Sequence, residues 1–204
     1  MRALVLGANG QLGKAVAQRL AADGHQVRGF VRRLPEQSAS ISQIEYFQGN
    51  AIEQKSVLAA LSGQDVVVNA IGSGTLRRNT VETDTARVVL KALSHTDITR
   101  YIAMSSGMVT PVSLLFDKVI KPIVFRNLYR EHREVEALVR ATHLDWTIVR
   151  PAKLTNRPPR GYIESVTNRP RGPIAISRSD VADFIAKAIA QDLYHCQAVF
   201  LVSR

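Results

Sequence analysis

The run Gly7-Ala8-Asn9-Gly10-Gln11-Leu12-Gly13 follows directly on the apolar stretch Ala3–Leu6. Three glycines at this spacing let a chain turn tightly, bring backbone N–H groups against a diphosphate, and pack the next helix closely on the strand. The start of that helix adds a partial positive charge. Past the glycines, at the point where an NAD site usually carries an Asp or Glu for the ribose 2′-hydroxyl, Val27–Val31 ends in Arg32-Arg33. A guanidinium offers forked, charge-assisted hydrogen bonds to a 2′-phosphate, whereas a carboxylate there would repel it. Gly7, Ala8, Asn9, Gly10, Gln11 and Leu12, together with Arg32 and Arg33, therefore predict an NADP(H) site in preference to one for NAD(H).

Such a loop needs strands and helices in alternation to hold it. Short β-branched runs predict strands at Ala3–Leu6, Gln26–Val31, Ile44–Gln48, Asp65–Ile71, Arg100–Met104, Trp146–Val149 and Ala198–Val202. Val66-Val67-Val68 and Ile148-Val149 are continuously apolar, as in strands covered on both faces. Helical spacing joins Leu12, Val16 and Leu20; Val81, Val88 and Ala92; and Val181, Phe184, Ile185 and Ala188. Ser177-Arg178-Ser179-Asp180 predicts a capping box at the last helix. Thr155–Pro173, with four prolines and four arginines, predicts a surface loop or a short hairpin. The pattern is α/β: one doubly wound parallel-sheet Rossmann domain over residues 1–204 with a small C-terminal substrate region.

Composition narrows the classes. The chain has 204 residues, 46% hydrophobic and 22% charged, which excludes collagen-like, coiled-coil and disordered chains. No apolar run reaches the roughly 18 residues of a membrane span, and the glycine loop follows the first residues too closely for a signal peptide. The lone Cys196 rules out a disulfide framework, suits a reducing cytoplasmic setting, and reads as structural. His25, His95, His132, His143 and His195 show no metal-ligand spacing, so no metal is expected. A net charge of +10, much of it between Asp117 and Arg178, marks either a solvated basic face or a surface for an anionic ligand. With 6% aromatics and no recognisable motif, nucleic acid is not the expected partner.

Gly7–Gly13, Val31-Arg32, Gln48-Gly49-Asn50, Asp65–Ala70, Tyr101–Ser106, Leu144–Pro151 and Ile176–Phe184 occur in an order that resembles the atypical short-chain dehydrogenases/reductases. The resemblance is to the NAD(P)H-binding group that contains NmrA-like proteins and the biliverdin reductase B (flavin reductase)-like branch. It implies NADP(H) along the carboxyl edge of the sheet, with Gly49 and Asn50 near the adenine and Ala70, Ile71 and Gly72 beside the ribose. Relatives carry Asp where this chain has Asn50. It implies either an oxidoreductase passing hydride to a flavin, quinone or conjugated carbonyl, or a non-catalytic NADP(H) sensor with a protein partner. The chain is short for an extended sugar-nucleotide epimerase.

The resemblance also places the catalytic candidates. Ser105 and Ser106 follow the fifth strand; Ser106 would face the nicotinamide or substrate, although either serine could instead cap a helix. Pro151 and Lys153 would lie near the nicotinamide, where the biliverdin reductase B-like branch has a histidine in place of Lys153. Tyr129 and Arg133 fall where the wider superfamily has Tyr-x-x-x-Lys, with Arg133 in the Lys slot, so Tyr129 is either an acid/base or a half-buried aromatic. His132 coincides with a histidine of that branch but reads as an exposed helical residue. The substrate region is expected from about residues 105–130 and 151–175, taking a small anionic or aromatic substrate. Within it, Met108–Phe125 suits a flap, a dimer surface, core, or a membrane-surface helix.

Overall fold

The computed structural model describes residues 1–36, 43–72, 80–109, 118 and 125–204. Its centre is an eight-stranded sheet in the order β3-β2-β1-β4-β5-β6-β10-β8. The strands are β1 (Arg2–Leu6), β2 (Gln26–Val31), β3 (Ile44–Gln48), β4 (Val66–Asn69), β5 (Arg100–Met104), β6 (Asp145–Pro151), β8 (Tyr162–Ser165) and β10 (Gln197–Ser203). Every neighbouring pair is parallel except β10–β8. A separate two-stranded parallel ribbon joins β7 (Lys153–Thr155) to β9 (Ala175–Ser177). The order reverses between β1 and β4, the switch point where doubly wound sheets open a crevice at their carboxyl ends.

Helices cover both faces. Helix α1 (Gln11–Ala22) and helix α5 (Arg178–Ala190) pack on one side, burying Leu12, Val16, Leu20, Val181, Phe184 and Ile185 against Val5, Val68 and Leu201. Helices α2 (Gln54–Leu61), α3 (Val81–Leu93) and α4 (Arg126–Arg140) pack on the other, against Leu4, Val67, Tyr101 and Ile148. The continuously apolar strands are buried, as two covered faces require.

Three expectations need correction. The stripe Val81–Val88–Ala92 is not the buried face of α3, because this helix packs against α2 and α4 as well as the sheet. The buried set is wider, Glu82, Thr83, Thr85, Ala86, Val89, Leu90, Ala92 and Leu93, while Val81 is exposed. The proline-rich stretch forms no hairpin of its own: β8 pairs with β10, and β7 pairs with β9. Cys196 is exposed and not a packed structural residue.

The capping box forms only in part. Ser177 Oγ accepts from the Asp180 amide at 2.9 Å. The Asp180 carboxylate, however, takes the Ser177 hydroxyl and the amides of Arg160 (3.2 Å) and Gly161 (2.9 Å), so it pins the chain before β8 onto the start of α5. Met108–Phe125 falls almost wholly outside the described residues.

Candidate active site

The carboxyl ends of β1, β2, β3 and β4 enclose a cleft of about 790 Å3, within the usual range for a small-molecule site. Of the residues singled out from sequence, Gly7, Asn9, Gly10, Arg32, Arg33, Asn50, Ala70, Ile71 and Gly72 line it. Phe30, Val31, Ala51, Ile52, Val81 and Thr85 also line it and were not assigned to the site from sequence. Val31 stands in the Val31-Arg32 motif and Val81 in a helical stripe; the others follow strand ends or a helix start with no motif to mark them.

The glycine loop is built for close approach. Gly7 has φ +80°, in the left-handed region that glycine tolerates without strain. Its amide donates to Phe30 O at 3.1 Å, and its carbonyl accepts from Gly10 N at 2.8 Å. Gly10 is the N-cap of α1, which has no side-chain cap and no acidic residue in its first turn. That end of the helix therefore presents uncapped amides and an uncompensated positive dipole end to an anion. Ala8 and Leu12 are buried beneath the loop, whereas Gln11 is exposed.

Neighbouring turns are tied to the loop. Asn9 Nδ2 donates to Arg33 O at 2.6 Å, and Gln48 Nε2 reaches Arg32 O at 3.4 Å, so the arginine turn is held from both sides. Both arginines are exposed. Gly49 packs against Ser56 and the Phe30 ring, and the Asn50 amide donates to Ser56 Oγ at 3.1 Å. At the switch point, buried Asn69 accepts from the Ile71 amide at 3.2 Å and donates to Tyr101 OH at 3.0 Å, which sets the Ala70–Gly72 turn. Burial pushes the Tyr101 pKa up to about 12, so its hydroxyl stays neutral. Asn69 is the clearest positioning residue that the sequence reading left out of the site.

On the other flank, at the ends of β5 and β6, lies a buried ionic network. Glu136 of α4 accepts from Ser105 Oγ at 2.7 Å and from Arg150 Nε and Nη2 at 2.8 and 2.5 Å. Burial alone would raise its pKa, but hydrogen bonds from Arg150 and Ser105 outweigh that and hold it below the usual value. The Ser105 hydroxyl is thus committed inward, and its amide donates to Val149 O at 2.8 Å. Ser106 and Pro151 adjoin the network, and the position a Gly107 side chain would take lies 3.2 Å from Pro151 O. Lys153 is exposed on β7, its amide donating to Ile174 O at 2.9 Å.

In the first turn of α4, Tyr129 is half-buried, and Arg133 donates to its hydroxyl at 3.3 Å with the guanidinium 5.6 Å from the ring centre. The cation in the Lys slot therefore engages Tyr129 itself. His132 is not the exposed residue expected. Only 12% of its side chain is exposed, and Nδ1 lies 3.1 Å from Glu82 Oε2, because this face of α4 packs on the start of α3. Beside it, Glu131 accepts from the Glu82 amide at 2.9 Å, capping α3 from outside; burial leads in raising its pKa.

The amino end of the sheet holds a different cluster. Asp145, Asp192 and His195 place potential ligand atoms within 4.8 Å of one another, a grouping that histidine spacing could not show. Both ring nitrogens of His195 are engaged, Nδ1 with Asp145 Oδ2 at 2.7 Å and Nε2 with Asp192 O at 2.6 Å. The bond to Asp145 leads in raising the His195 pKa. A raised folded-state value contributes stability that is complete below the unfolded pKa of roughly 6.5 and is lost as pH rises through the folded value. His195→Ala is therefore expected to lower the melting temperature at pH 6 and to have little effect at pH 9. Thermal melts across that range check this.

A doubly wound parallel sheet, a glycine turn at the β1–α1 junction and a cleft at the switch point define a dinucleotide-binding protein of the Rossmann class. The chain belongs to the NAD(P)H-binding family, which matches residues 7–192. It is 27% identical to YhfK of Bacillus subtilis (strain 168), described as an uncharacterized sugar epimerase, over 93% of this chain and 88% of that one. Its fold matches SP1627 of Streptococcus pneumoniae TIGR4, a candidate NADH-flavin reductase, with a TM-score of 0.84, 21% identity and complete coverage of both chains. It also matches a short-chain dehydrogenase/reductase of Veillonella parvula DSM 2008 solved with NADP, with a TM-score of 0.78 and 21% identity over 98% of this chain and 93% of that one. Among the described residues, no helix is long and apolar enough to cross a membrane.

Proposed function

We propose that this protein is an NADPH-dependent reductase that passes hydride to a flat, electron-poor acceptor such as a flavin, quinone or conjugated carbonyl, in the reducing setting of the cytoplasm. The carrying observation is the cleft itself: an uncapped helix start and the Gly7–Gly13 turn on one wall, Arg32 and Arg33 on the other, and no carboxylate at the end of β2. The residues present fit the cofactor. Gly7, Ala8, Asn9, Gly10, Gln11 and Leu12 would hold the diphosphate through backbone amides, with Arg32 and Arg33 on the 2′-phosphate. Gly49 and Asn50 would hold the adenine, Ala70, Ile71 and Gly72 the ribose, and the Ser105 and Pro151 backbones the nicotinamide end. When bound, the reduced nicotinamide supplies the hydride.

The chain's own groups would orient the acceptor and stabilise the charge that develops on it. Ser106 offers a hydroxyl donor, Lys153 an ammonium, and Tyr129, with Arg133 against it, a phenol. The substrate region would be built from about residues 105–130 and 151–175.

Arg32→Ala is expected to weaken NADPH binding by about 10- to 100-fold while leaving NADH binding unchanged. Calorimetric titration with both cofactors checks this, and equal wild-type affinities for the two would defeat the NADP(H) assignment. NADPH oxidation against a flavin, quinone and enone panel tests turnover. Tight NADP(H) binding without turnover would favour the sensing role instead.

A further inference from the structure

Buried polar atoms without a hydrogen bond are rare, and each asks for a reason. Among the described residues, four side chains carry one: Gln64 Oε1, Thr83 Oγ1, Arg100 Nε and His132 Nδ1. Two of the four belong to α3 and α4, the helices that meet beside the cleft.

The contacts of His132 are one-sided. Nδ1 lies 3.1 Å from Glu82 Oε2, but off the line of a hydrogen bond. That nitrogen is buried while 12% of the side chain is exposed, so Nε2 is the one that can reach a ligand. Nε2 has no hydrogen-bond partner among the described residues. A ring held beside a carboxylate at Nδ1, with Nε2 left open, is the arrangement of a general acid.

The pair also stands at the reacting edge of the sheet. The other Glu82 oxygen, Oε1, lies 3.7 Å from where a Gly72 side chain would begin, and Gly72, Val81 and Thr85 line the switch-point cleft. One turn further along α4, Glu136 holds Ser105 and Arg150 at the ends of β5 and β6. His132 therefore lies between the cleft wall and the Ser105 network.

We infer that His132 is the proton donor of the reduction, an assignment that rests on the reductase reading. Hydride transfer breaks a C–H bond of the reduced nicotinamide, oxidises that ring, and places the electron pair in a new bond on the acceptor. An acceptor oxygen or nitrogen is left with negative charge and takes the Nε2 proton. The imidazole N–H bond breaks, an O–H or N–H bond forms, and the neutral ring is reprotonated by acid from solvent.

The groups around the donor are defined. Glu82 faces it from α3, Glu131 and Arg133 flank it on α4, and Tyr129 and Glu136 lie one turn before and after. Strand β6 sends Arg150 to Glu136, and the turn Gly107–Val109, which also packs on α4, carries no charge.

Two measurements on the full chain test the assignment. In the first, diethyl pyrocarbonate, which acylates neutral imidazole nitrogens, is applied with and without saturating NADP+, and each histidine is followed by mass spectrometry. NADP+ is expected to slow labelling of His132 several-fold and to leave the exposed His95 and His143 unchanged. In the second, His132→Gln is expected to lower kcat about 100-fold with the fastest acceptor of the panel, at unchanged NADPH affinity. Wild-type kcat should fall as pH rises, because only the protonated ring has a proton to give, and the variant should lack that limb.

Labelling of His132 that NADP+ does not slow, no labelling of it at all, or a variant that keeps the wild-type kcat and pH profile overturns the inference. Failure of the reductase reading shows separately, as wild type that binds NADPH and oxidises it with no acceptor. That result removes the donor role as well, whereas a kinetic failure confined to His132→Gln leaves the reductase standing.

Discussion

Gly13→Ala is expected to destabilise the fold by about 3 kcal/mol and to abolish measurable NADPH binding, although alanine is the better helix former by about 1 kcal/mol. The reason is steric. A Cβ at Gly13 would sit 2.2 Å from Gly7 O, 2.7 Å from Gly7 C and 3.2 Å from Ala8 Cα. All three are backbone atoms of the turn that joins β1 to α1, so no side chain can swing aside. Relief requires α1 to move off the strand. That movement would break the Gly10 N to Gly7 O bond of 2.8 Å and turn the helix start away from the cleft. Gly10→Ala is the control: its Cβ would meet only Gly7 O, at 3.1 Å, and its cost should be smaller. Urea denaturation and calorimetric titration together check this. Wild-type affinity in Gly13→Ala would show that the loop does not hold the cofactor.

Glu136→Ala is expected to cost about 3–5 kcal/mol, because it leaves the Arg150 guanidinium buried without its counter-charge. The Arg150 side chain is 12% exposed and Glu136 6%, and the guanidinium lies over the Phe200 ring at 5.0 Å, so water cannot replace the lost carboxylate. The Ser105 hydroxyl loses its acceptor as well. The turn bearing Ser106 would then be released from α4, so turnover should fall more than affinity for the adenosine half of the cofactor.

The pH dependence has a definite sign. The Glu136 pKa is depressed in the folded state, so its contribution is present above the unfolded value of about 4.3 and is lost as pH falls through the folded value. Wild type should thus lose stability on acidification more steeply than Glu136→Gln. Replacing both partners, Glu136→Met with Arg150→Met, should recover much of the loss, since a well-packed apolar pair carries no desolvation penalty. Melting temperatures of the four proteins between pH 3 and 8 check the set.

Much of the lining of the switch-point cleft was legible before any coordinates, because its chemistry is local. Gly7–Gly13 and Arg32-Arg33 are short contiguous stretches at strand ends, and a parallel sheet brings successive strand ends to one edge. The stripes named on α1 and α5 were legible for a related reason: Leu12, Val16 and Leu20, and Val181, Phe184, Ile185 and Ala188, recur at helical spacing, and all are buried where the two helices pack on each other and on one face of the sheet. Helix α3 was misread because it has neighbours on several sides, and its buried arc takes in Glu82, Thr83 and Thr85. Likewise His132 read as exposed because nothing in α4 alone reveals that Glu82 lies opposite it.

The sequence by itself determined the fold class, its parallel sheet, and the NAD(P)H-binding family to which the chain belongs. Those features depend on backbone conformation, on side-chain periodicity and on residues a few positions apart. Tertiary structure alone decided that Ser105 spends its hydroxyl on Glu136, that β8 closes the sheet against β10, and that His132 lies against Glu82. Each joins segments from tens of residues apart, and whether a charge is neutralised depends on which distant carboxylate the fold brings within reach.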